Sequence, residues 1–248
     1  MNVIKYKKMK DGLYKLVLSN GKEMKVYEDV ILKYDLLLKK DIDAKTIIEV
    51  QEANKEYEAY YMVLNSLKRR AKTVKECREY LVKKEYDDEI INRVIDKLVK
   101  QKYLDDERYA YSYLNEQLIM TKNGPKKIMV NMRKKGLSED IINVVITEYS
   151  KEEQEEKITK IINYSIKTNR SKGPFVLKKK IITKLKLEGF DDDLISKCLN
   201  RVEFKQDEKQ YQKEYSKLYE RYKNKYSGRE LELFIEKKLY QKGYINQK

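Results

Sequence analysis

The side chains that could do chemistry in this sequence are mostly carboxylates and ammonium groups, because it contains no histidine and two cysteines. The carboxylates gather in three short clusters, at 87–89, 105–107 and 191–193, that could serve acid–base catalysis or hold a metal ion. Each cluster stands where a helix is expected to begin, and acidic side chains there cap backbone N–H groups and suit the helix dipole. We therefore interpret the clusters as helix starts and expect no metal or other cofactor.

The remaining signatures of catalysis are missing from the sequence. It has neither the glycine pattern of a phosphate-binding loop nor the Cys/His spacing of a metal site. Cys77 and Cys198 occupy positions that are apolar elsewhere in an internal repeat described below, so we predict small core residues rather than a bridge. The sequence therefore gives no support to an enzyme.

Basic side chains are in excess, with 56 Lys and Arg against 41 Asp and Glu and a formal charge of +15. Such an excess suggests a polyanionic partner. The basic residues concentrate in three clusters without interleaved acids. The candidate binding residues are Lys68, Arg69, Arg70 and Lys72 in the first cluster, Lys126, Lys127, Arg133 and Lys134 in the second, and Lys178, Lys179 and Lys180, near Arg170, in the third.

The elements that must position these clusters follow a repeat. An apolar pair with a spacing of five occurs four times, and its second members are separated by 51, 53 and 54 residues. The pairs are Leu81 and Tyr86, Met132 and Leu137, Leu185 and Phe190, and Leu239 and Tyr244. Repetition at this period indicates an array of small units. Stacked units would align the basic clusters into a stripe that tracks a phosphate backbone or an acidic groove; a solvated face is the alternative.

Within each repeat the apolar spacing predicts three helices, with breaks near 71–73, 123–125, 172–174 and 227–228. The third helix of the first repeat, for example, carries an apolar stripe from Ile90 to Leu98. The fourth repeat lacks its third helix. Its first helix carries a tyrosine stripe, which we interpret as packing rather than as a base-stacking surface. Gly136, Gly189 and Gly243 precede the apolar anchors and predict left-handed helix ends; the first repeat has Glu85 there.

The first 28 residues predict β-structure instead. Two strand-like runs flank Asn20-Gly21, which is a strong hairpin signal because both turn residues need positive φ. Short helices are expected over 30–38 and 43–51. The predicted fold is thus mostly α, an elongated tandem array of three-helix repeats with a small N-terminal sheet. The predicted divisions are 1–53, 54–104, 105–150, 151–204 and 205–248.

One stretch resembles a known family. Residues 67–73, Leu81, Ile90-Ile91 and above all the run Tyr103, Leu104, Asp105, Asp106, Glu107, Arg108, Tyr109 and Ala110 resemble the regulatory protein RecX family. The similarity continues through Gly124-Pro125 and Lys135-Gly136 and covers nearly the whole chain, in the form of the longer Gram-positive members. Glu85 departs from the glycine that is usual in the family.

The resemblance implies a modulator of the RecA recombinase. Family members bind the groove of the RecA–DNA filament, limit its growth, and reduce its ATPase activity and strand exchange. Composition and spacing alone indicate only a basic helical-repeat binding protein, and two alternatives stay open: a direct nucleic-acid-binding module and a plain scaffold. With no signal peptide or long apolar run, we expect a soluble, cytoplasmic protein, away from membranes and monomeric.

Overall fold

The computed structural model describes residues 1–39, 41–169 and 172–245. Within these ranges the chain is mostly helical, with one small antiparallel sheet at its N-terminal end. None of the helices in these ranges combines the length and the apolar character that crossing a membrane requires. The mostly α fold class expected from the sequence is confirmed.

The sheet consists of β1 (Val3–Lys8), β2 (Leu13–Leu18) and β3 (Glu23–Tyr27), paired in the order β1-β2-β3. Asn20 and Gly21 lie in the turn between β2 and β3, and Gly21 has a φ of +79°. The predicted hairpin is therefore confirmed, although Gly21 has positive φ and Asn20 does not, and β1 extends the hairpin to three strands.

The first helix is shorter than its apolar pattern predicted. Helix α1 spans Glu28–Lys33, whereas the pattern predicted a helix over 30–38. Asp35 has a φ of +51°, which ends the helical path and turns the chain. Leu36 beyond it is buried in the same core as Leu16 of the sheet. Leu36 thus packs against the sheet rather than extending a helix face.

Helix α2 corrects a second prediction. It runs unbroken over Ala44–Leu67, whereas the sequence predicted a short helix over 43–51 and a separate one from Asn54. The Asn54 side chain accepts a hydrogen bond from the Tyr27 backbone N–H and donates one to the Lys25 carbonyl. The boundary predicted between residues 53 and 54 therefore lies inside a helix that belongs to both the sheet core and the first repeat.

Ten further helices follow in the described ranges, and each of the four predicted breaks falls next to the start of one of them. They are α3 (Val74–Val82), α4 (Asp88–Lys100), α5 (Asp106–Met120), α6 (Pro125–Lys134), α7 (Glu139–Ile146), α8 (Lys151–Thr168), α9 (Pro174–Leu187), α10 (Asp192–Asn200), α11 (Glu208–Tyr222) and α12 (Gly228–Gln241). The apolar stripe of α4 is buried, as are both cysteines. Tyr211 is buried with Leu218 in the core between α11 and α12, which confirms the packing interpretation of the tyrosine stripe for that residue.

Two compact units can be distinguished along the chain. The first unit contains Met1–Ala110 and Lys134–Ile141, and the second contains Tyr111–Arg133 and Ile142–Lys248. Their limits fall inside α5, α6 and α7, so they do not follow the five divisions that the sequence predicts. Those divisions stay a prediction, and each unit is described separately below.

Candidate functional site

In the first unit, the start of α3 lies against the residues that end α6. Thr73 and Glu76 form a capping box, in which each side chain accepts a hydrogen bond from the other residue's backbone N–H. The Thr73 hydroxyl also donates to the Lys135 carbonyl at 2.7 Å. Lys75 Nζ donates to the Lys134 carbonyl at 3.2 Å. The first basic cluster therefore ends at a contact with the following repeat.

The second unit contains an equivalent contact twice, with a backbone N–H as the donor in place of the hydroxyl. The Gly124 backbone N–H donates to the Glu188 carbonyl at 2.6 Å, and the Gly173 N–H donates to the Lys242 carbonyl at 3.0 Å. In every case the accepting carbonyl comes directly before the glycine that ends the second helix of the next repeat. We call the contacts 73–135, 124–188 and 173–242 the first, second and third repeat junctions. Each one joins the start of a helix to the helix end of the next repeat.

These junctions explain why glycine ends the second helix of a repeat. The φ angles of Gly136, Gly189 and Gly243 are +86°, +87° and +86°. A Cβ on Gly189 would lie 2.5 Å from the backbone nitrogen of Lys127, and one on Gly243 would lie 2.6 Å from that of Val176. Glycine is therefore needed both for its backbone conformation and for the close approach of the next chain segment.

Glu85 shows which of these two requirements applies in the first repeat. It has a φ of +61°, so the left-handed helix end is kept without glycine. Its side chain is exposed, so no neighbouring backbone displaces it. Glutamate in place of glycine thus leaves the helix end intact, and its cost is the left-handed φ of a residue that carries a Cβ.

The carboxylates of the run from Tyr103 to Ala110 cap two helices. Asp105 accepts a hydrogen bond from the Arg108 N–H at 2.9 Å, at the start of α5. Asp106 accepts one from the Val74 N–H at 2.9 Å, at the start of α3. Burial raises the pKa of Asp106, although the bond from Val74 opposes that rise. The helix-start interpretation is therefore confirmed for this cluster.

The other residues of the run hold the same region together. Leu104 and Ala110 are buried in the core of the first unit. The Arg108 guanidinium donates to the Lys102 carbonyl at 3.0 Å. Tyr103 is 52% exposed, which leaves its ring accessible. The run that most resembles the RecX family is thus mainly structural.

Electrostatic contacts concentrate at the first junction. The Glu76 carboxylate lies 3.4 Å from Lys135 Nζ and 3.4 Å from Arg70 Nη1. Burial favours protonation of Glu76, but the charges of Lys135 and Arg70 outweigh it and hold its pKa below the usual range. Burial also opposes the charge of Lys135, yet its hydrogen bonds to Tyr109 and Glu76 leave its pKa raised. Arg70 and Lys135 are therefore both engaged within the fold.

We expect Glu76→Gln to lower the free energy of unfolding at pH 7 by about 1 kcal/mol or less, because glutamine can keep the capping-box hydrogen bond but loses the ion pairs with Lys135 and Arg70. Because the pKa of Glu76 is lower in the folded protein, its stabilisation is present above about pH 4.5 and is lost as the pH falls through the folded pKa. The variant should lose less stability than the parent between pH 5 and pH 3. Urea unfolding at several pH values measures this, with the exposed Glu79→Gln as control. Equal acid sensitivity in parent and variant would contradict it.

The first basic cluster is only partly engaged. Lys68 Nζ lies 3.8 Å from the Asp11 carboxylate, and Lys72 Nζ lies 4.7 Å from the centre of the Tyr80 ring. Arg69 is exposed and forms no ion pair within the described ranges. Arg69 is therefore the guanidinium of this cluster that is available for a partner.

The second cluster is engaged at the second junction. Lys126 pairs with Asp191 at 2.8 Å and Lys127 pairs with Glu188 at 2.7 Å. Both acids come from the following repeat. The sequence around Lys126 and Lys127 therefore contains no acid, although the fold places an acid next to each lysine. Sequence analysis missed these partners. The two remaining predicted residues of this cluster are exposed: Arg133 and Lys134.

The third cluster is the most open. Lys178 and Lys179 are exposed on α9, and within the described ranges neither forms an ion pair. Lys180 Nζ donates to the Asn169 side-chain oxygen at 2.9 Å. The neighbouring charge of Lys172 lowers the pKa of Lys180, as expected for crowded ammonium groups. One further candidate lies outside the described residues: Arg170.

The described ranges hold no group of three or more His, Cys, Asp or Glu side chains that could bind a metal ion. Cys77 and Cys198 are free and buried. Burial raises the pKa of Cys77 to about 11, which makes its thiol unreactive at neutral pH.

The comparisons with known proteins agree with this architecture. The first three-helix domain of RecX matches residues 59–98, and the second three-helix domain matches residues 105–146. A regulatory protein RecX from Listeria monocytogenes serovar 1/2a is 32% identical over 181 residues, which is 73% of this chain and 67% of that protein. The chain belongs to the RecX family. A regulatory protein RecX from Bacillus subtilis is 28% identical over 195 residues, covering 79% of this chain and 74% of its own length.

Solved structures show the same fold. A crystal structure of a regulatory protein RecX covers 80% of this chain and 98% of its own, with a TM-score of 0.71 at 24% identity. RecX from Lactobacillus salivarius covers 60% of this chain and 97% of its own, with a TM-score of 0.58 at 26% identity. The helical repeats are therefore a property of the RecX family.

Proposed function

We propose that this chain is a negative modulator of the RecA recombinase. In this proposal it binds the groove of the RecA–DNA filament through its basic residues and limits filament growth, ATPase activity and strand exchange. The observation that carries the proposal is membership of the RecX family, since the resemblance to that family implies RecA as the partner. The protein acts by binding and not by catalysis.

The unpaired basic residues support a polyanionic partner. Arg69, Lys178 and Lys179 are exposed, and within the described ranges none is neutralised by an acid. Ammonium and guanidinium groups in this state release counterions when they meet phosphate, and that release drives binding. Lys126 and Lys127 contribute less in this proposal, because Asp191 and Glu188 already engage them.

The same lysines favour a second candidate, a nucleic-acid-binding module that needs no RecA. Lys178 and Lys179 would meet DNA phosphate whether or not a recombinase coats the strand. Both candidates place a monomer in the cytoplasm and predict salt-sensitive binding. They differ in the surface that is recognised.

Binding to bare and RecA-coated single-stranded DNA separates the two candidates. Under the first proposal, we expect affinity for coated strands to exceed affinity for bare strands by about ten-fold or more, an ordinary specificity ratio for a protein partner. The ATPase activity of RecA should fall in the same titration. Equal affinity for bare and coated strands, with unchanged ATPase activity, would favour direct nucleic-acid binding.

A further inference from the structure

A groove in the second unit lies between the end of α5 and helix α8. Its volume is about 490 Å³, within the range of ligand-binding clefts. Its apolar walls are formed by Leu118, Ile119, Tyr149, Ile161 and Tyr164. The groove is thus large enough for one large apolar side chain and its neighbours.

Two of the apolar side chains that line the groove are largely exposed to solvent. Ile119 is 78% exposed and Tyr164 is 57% exposed. Met120, next to Ile119, is 77% exposed. Single exposed apolar residues are ordinary, but several beside one concave site mark a place where another molecule binds.

A polar group in the groove lacks a hydrogen-bond partner. The hydroxyl of Tyr149 is buried and has no hydrogen-bond partner among the described residues, while the residue as a whole is 3% exposed. Beside it, Lys157 Nζ donates to the Leu118 carbonyl at 2.8 Å and lies 5.4 Å from the centre of the Tyr149 ring. A buried hydroxyl left unsatisfied is costly, and a ligand that reaches it would remove that cost.

Charges at the rim indicate the class of ligand. Glu153 is bound to Ser150 at the start of α8, and Glu156 pairs with Lys160 at 3.5 Å. Lys122 Nζ lies 4.9 Å from the Tyr164 ring centre and forms no ion pair in the described part of the chain. The rim thus carries both signs, with Glu153 and Glu156 beside Lys122, Lys157 and Lys160, and a protein segment can match a rim of mixed charge.

We propose that this groove takes a large apolar side chain from a protein partner, on a segment whose carboxylate meets Lys122. The apolar side chain packs against Ile119 and Tyr164, and a polar group of the segment reaches the Tyr149 hydroxyl. The inference rests on the proposed function, since the partner segment then belongs to the recombinase filament. It assigns apolar recognition to the groove and leaves phosphate recognition to the basic clusters.

The test uses the full-length double variant Ile119→Ala with Tyr164→Ala. It should need about ten-fold more protein than the parent for half-inhibition of RecA ATPase, the expected loss for two central interface residues. Its affinity for bare single-stranded DNA, and the salt dependence of that affinity, should stay unchanged. The matched control is Ile48→Ala with Leu187→Ala, which removes apolar residues that are 62% and 73% exposed outside the groove and should inhibit like the parent.

The possible outcomes are distinct. A groove variant that inhibits like the parent overturns the groove assignment alone. A groove variant whose affinity for bare single-stranded DNA falls as much as its inhibition of RecA ATPase also overturns the groove assignment, because the groove would then hold a base. A parent that leaves RecA ATPase unchanged at every concentration overturns the proposed function and the groove assignment together. Since all four residues are largely exposed, unchanged urea unfolding midpoints should accompany the expected result.

Discussion

Gly189→Ala will lower the free energy of unfolding by about 2 to 4 kcal/mol, because two costs combine at this position. Its φ of +87° disfavours any Cβ. That Cβ would also lie 2.5 Å from the backbone nitrogen of Lys127, which cannot move without disturbing the second junction. The hydrogen bonds of the neighbouring Glu188 and Gly189 carbonyls to the start of α6 should weaken with it.

Two variants elsewhere in the chain separate these costs. Gly228 has a φ of +54°, and a Cβ at this position would meet no atom of the described residues within 4 Å, so Gly228→Ala should cost only about 1 kcal/mol. Glu85→Gly relieves a φ of +61° and should raise stability by up to about 1 kcal/mol. Urea unfolding of the full chain measures all three. If Gly189→Ala and Gly228→Ala cost the same, close approach at the junction does not select glycine.

The local features of the fold could be predicted from the sequence because short-range physics determines them. Asn20-Gly21 imposes a turn between two strand-forming runs, and the structure has the hairpin there. The apolar period from Ile90 to Leu98 places those residues on one side of a helix, and they are buried. In both cases the signal and the structure lie within about ten residues of each other.

Asn54 shows where that reasoning fails. A polar residue between two apolar patterns indicated a helix boundary, yet α2 passes through it. Its side chain instead binds the backbone of Tyr27 and Lys25 in the sheet. A bond across about thirty residues leaves no local signature, so periodicity alone could not distinguish a helix start from a tertiary contact.

The cationic character of the candidate site could be predicted because it depends on residue types. Its ion pairs could not, because the partners are far apart in the sequence. Basic residue types reveal a cationic surface, and the exposed Lys178 and Lys179 agree with that expectation. The partners of Lys126 and Lys127 lie 65 and 61 residues further along the chain. The repeat register could have indicated them, since Glu188 directly precedes a glycine of the repeat.

Because Lys126 and Lys127 are ion-paired while, within the described ranges, Lys178 and Lys179 are not, we expect variants of the two lysine pairs to differ in binding. Lys178→Gln with Lys179→Gln removes two unpaired ammonium groups, and glutamine preserves helix propensity. We expect the salt slope of filament or DNA binding to fall by about 1.4 to 1.8, which is 0.7 to 0.9 per lost phosphate contact. The amount of protein needed for half-inhibition of RecA ATPase should rise by about ten-fold or more at physiological salt. Adding Arg69→Gln should increase both effects if the clusters act on one ligand.

Lys126→Gln with Lys127→Gln is the matched comparison. It removes the same charge from the chain but takes it from the two ion pairs of the second junction. Partly exposed pairs contribute little, so unfolding should change by about 1 kcal/mol or less per pair. The salt slope should fall much less than with the Lys178 and Lys179 variants. RecA ATPase titrations at two salt concentrations compare the two double variants. Equal salt slopes for both would mean that total charge, and not the unpaired lysines, governs binding.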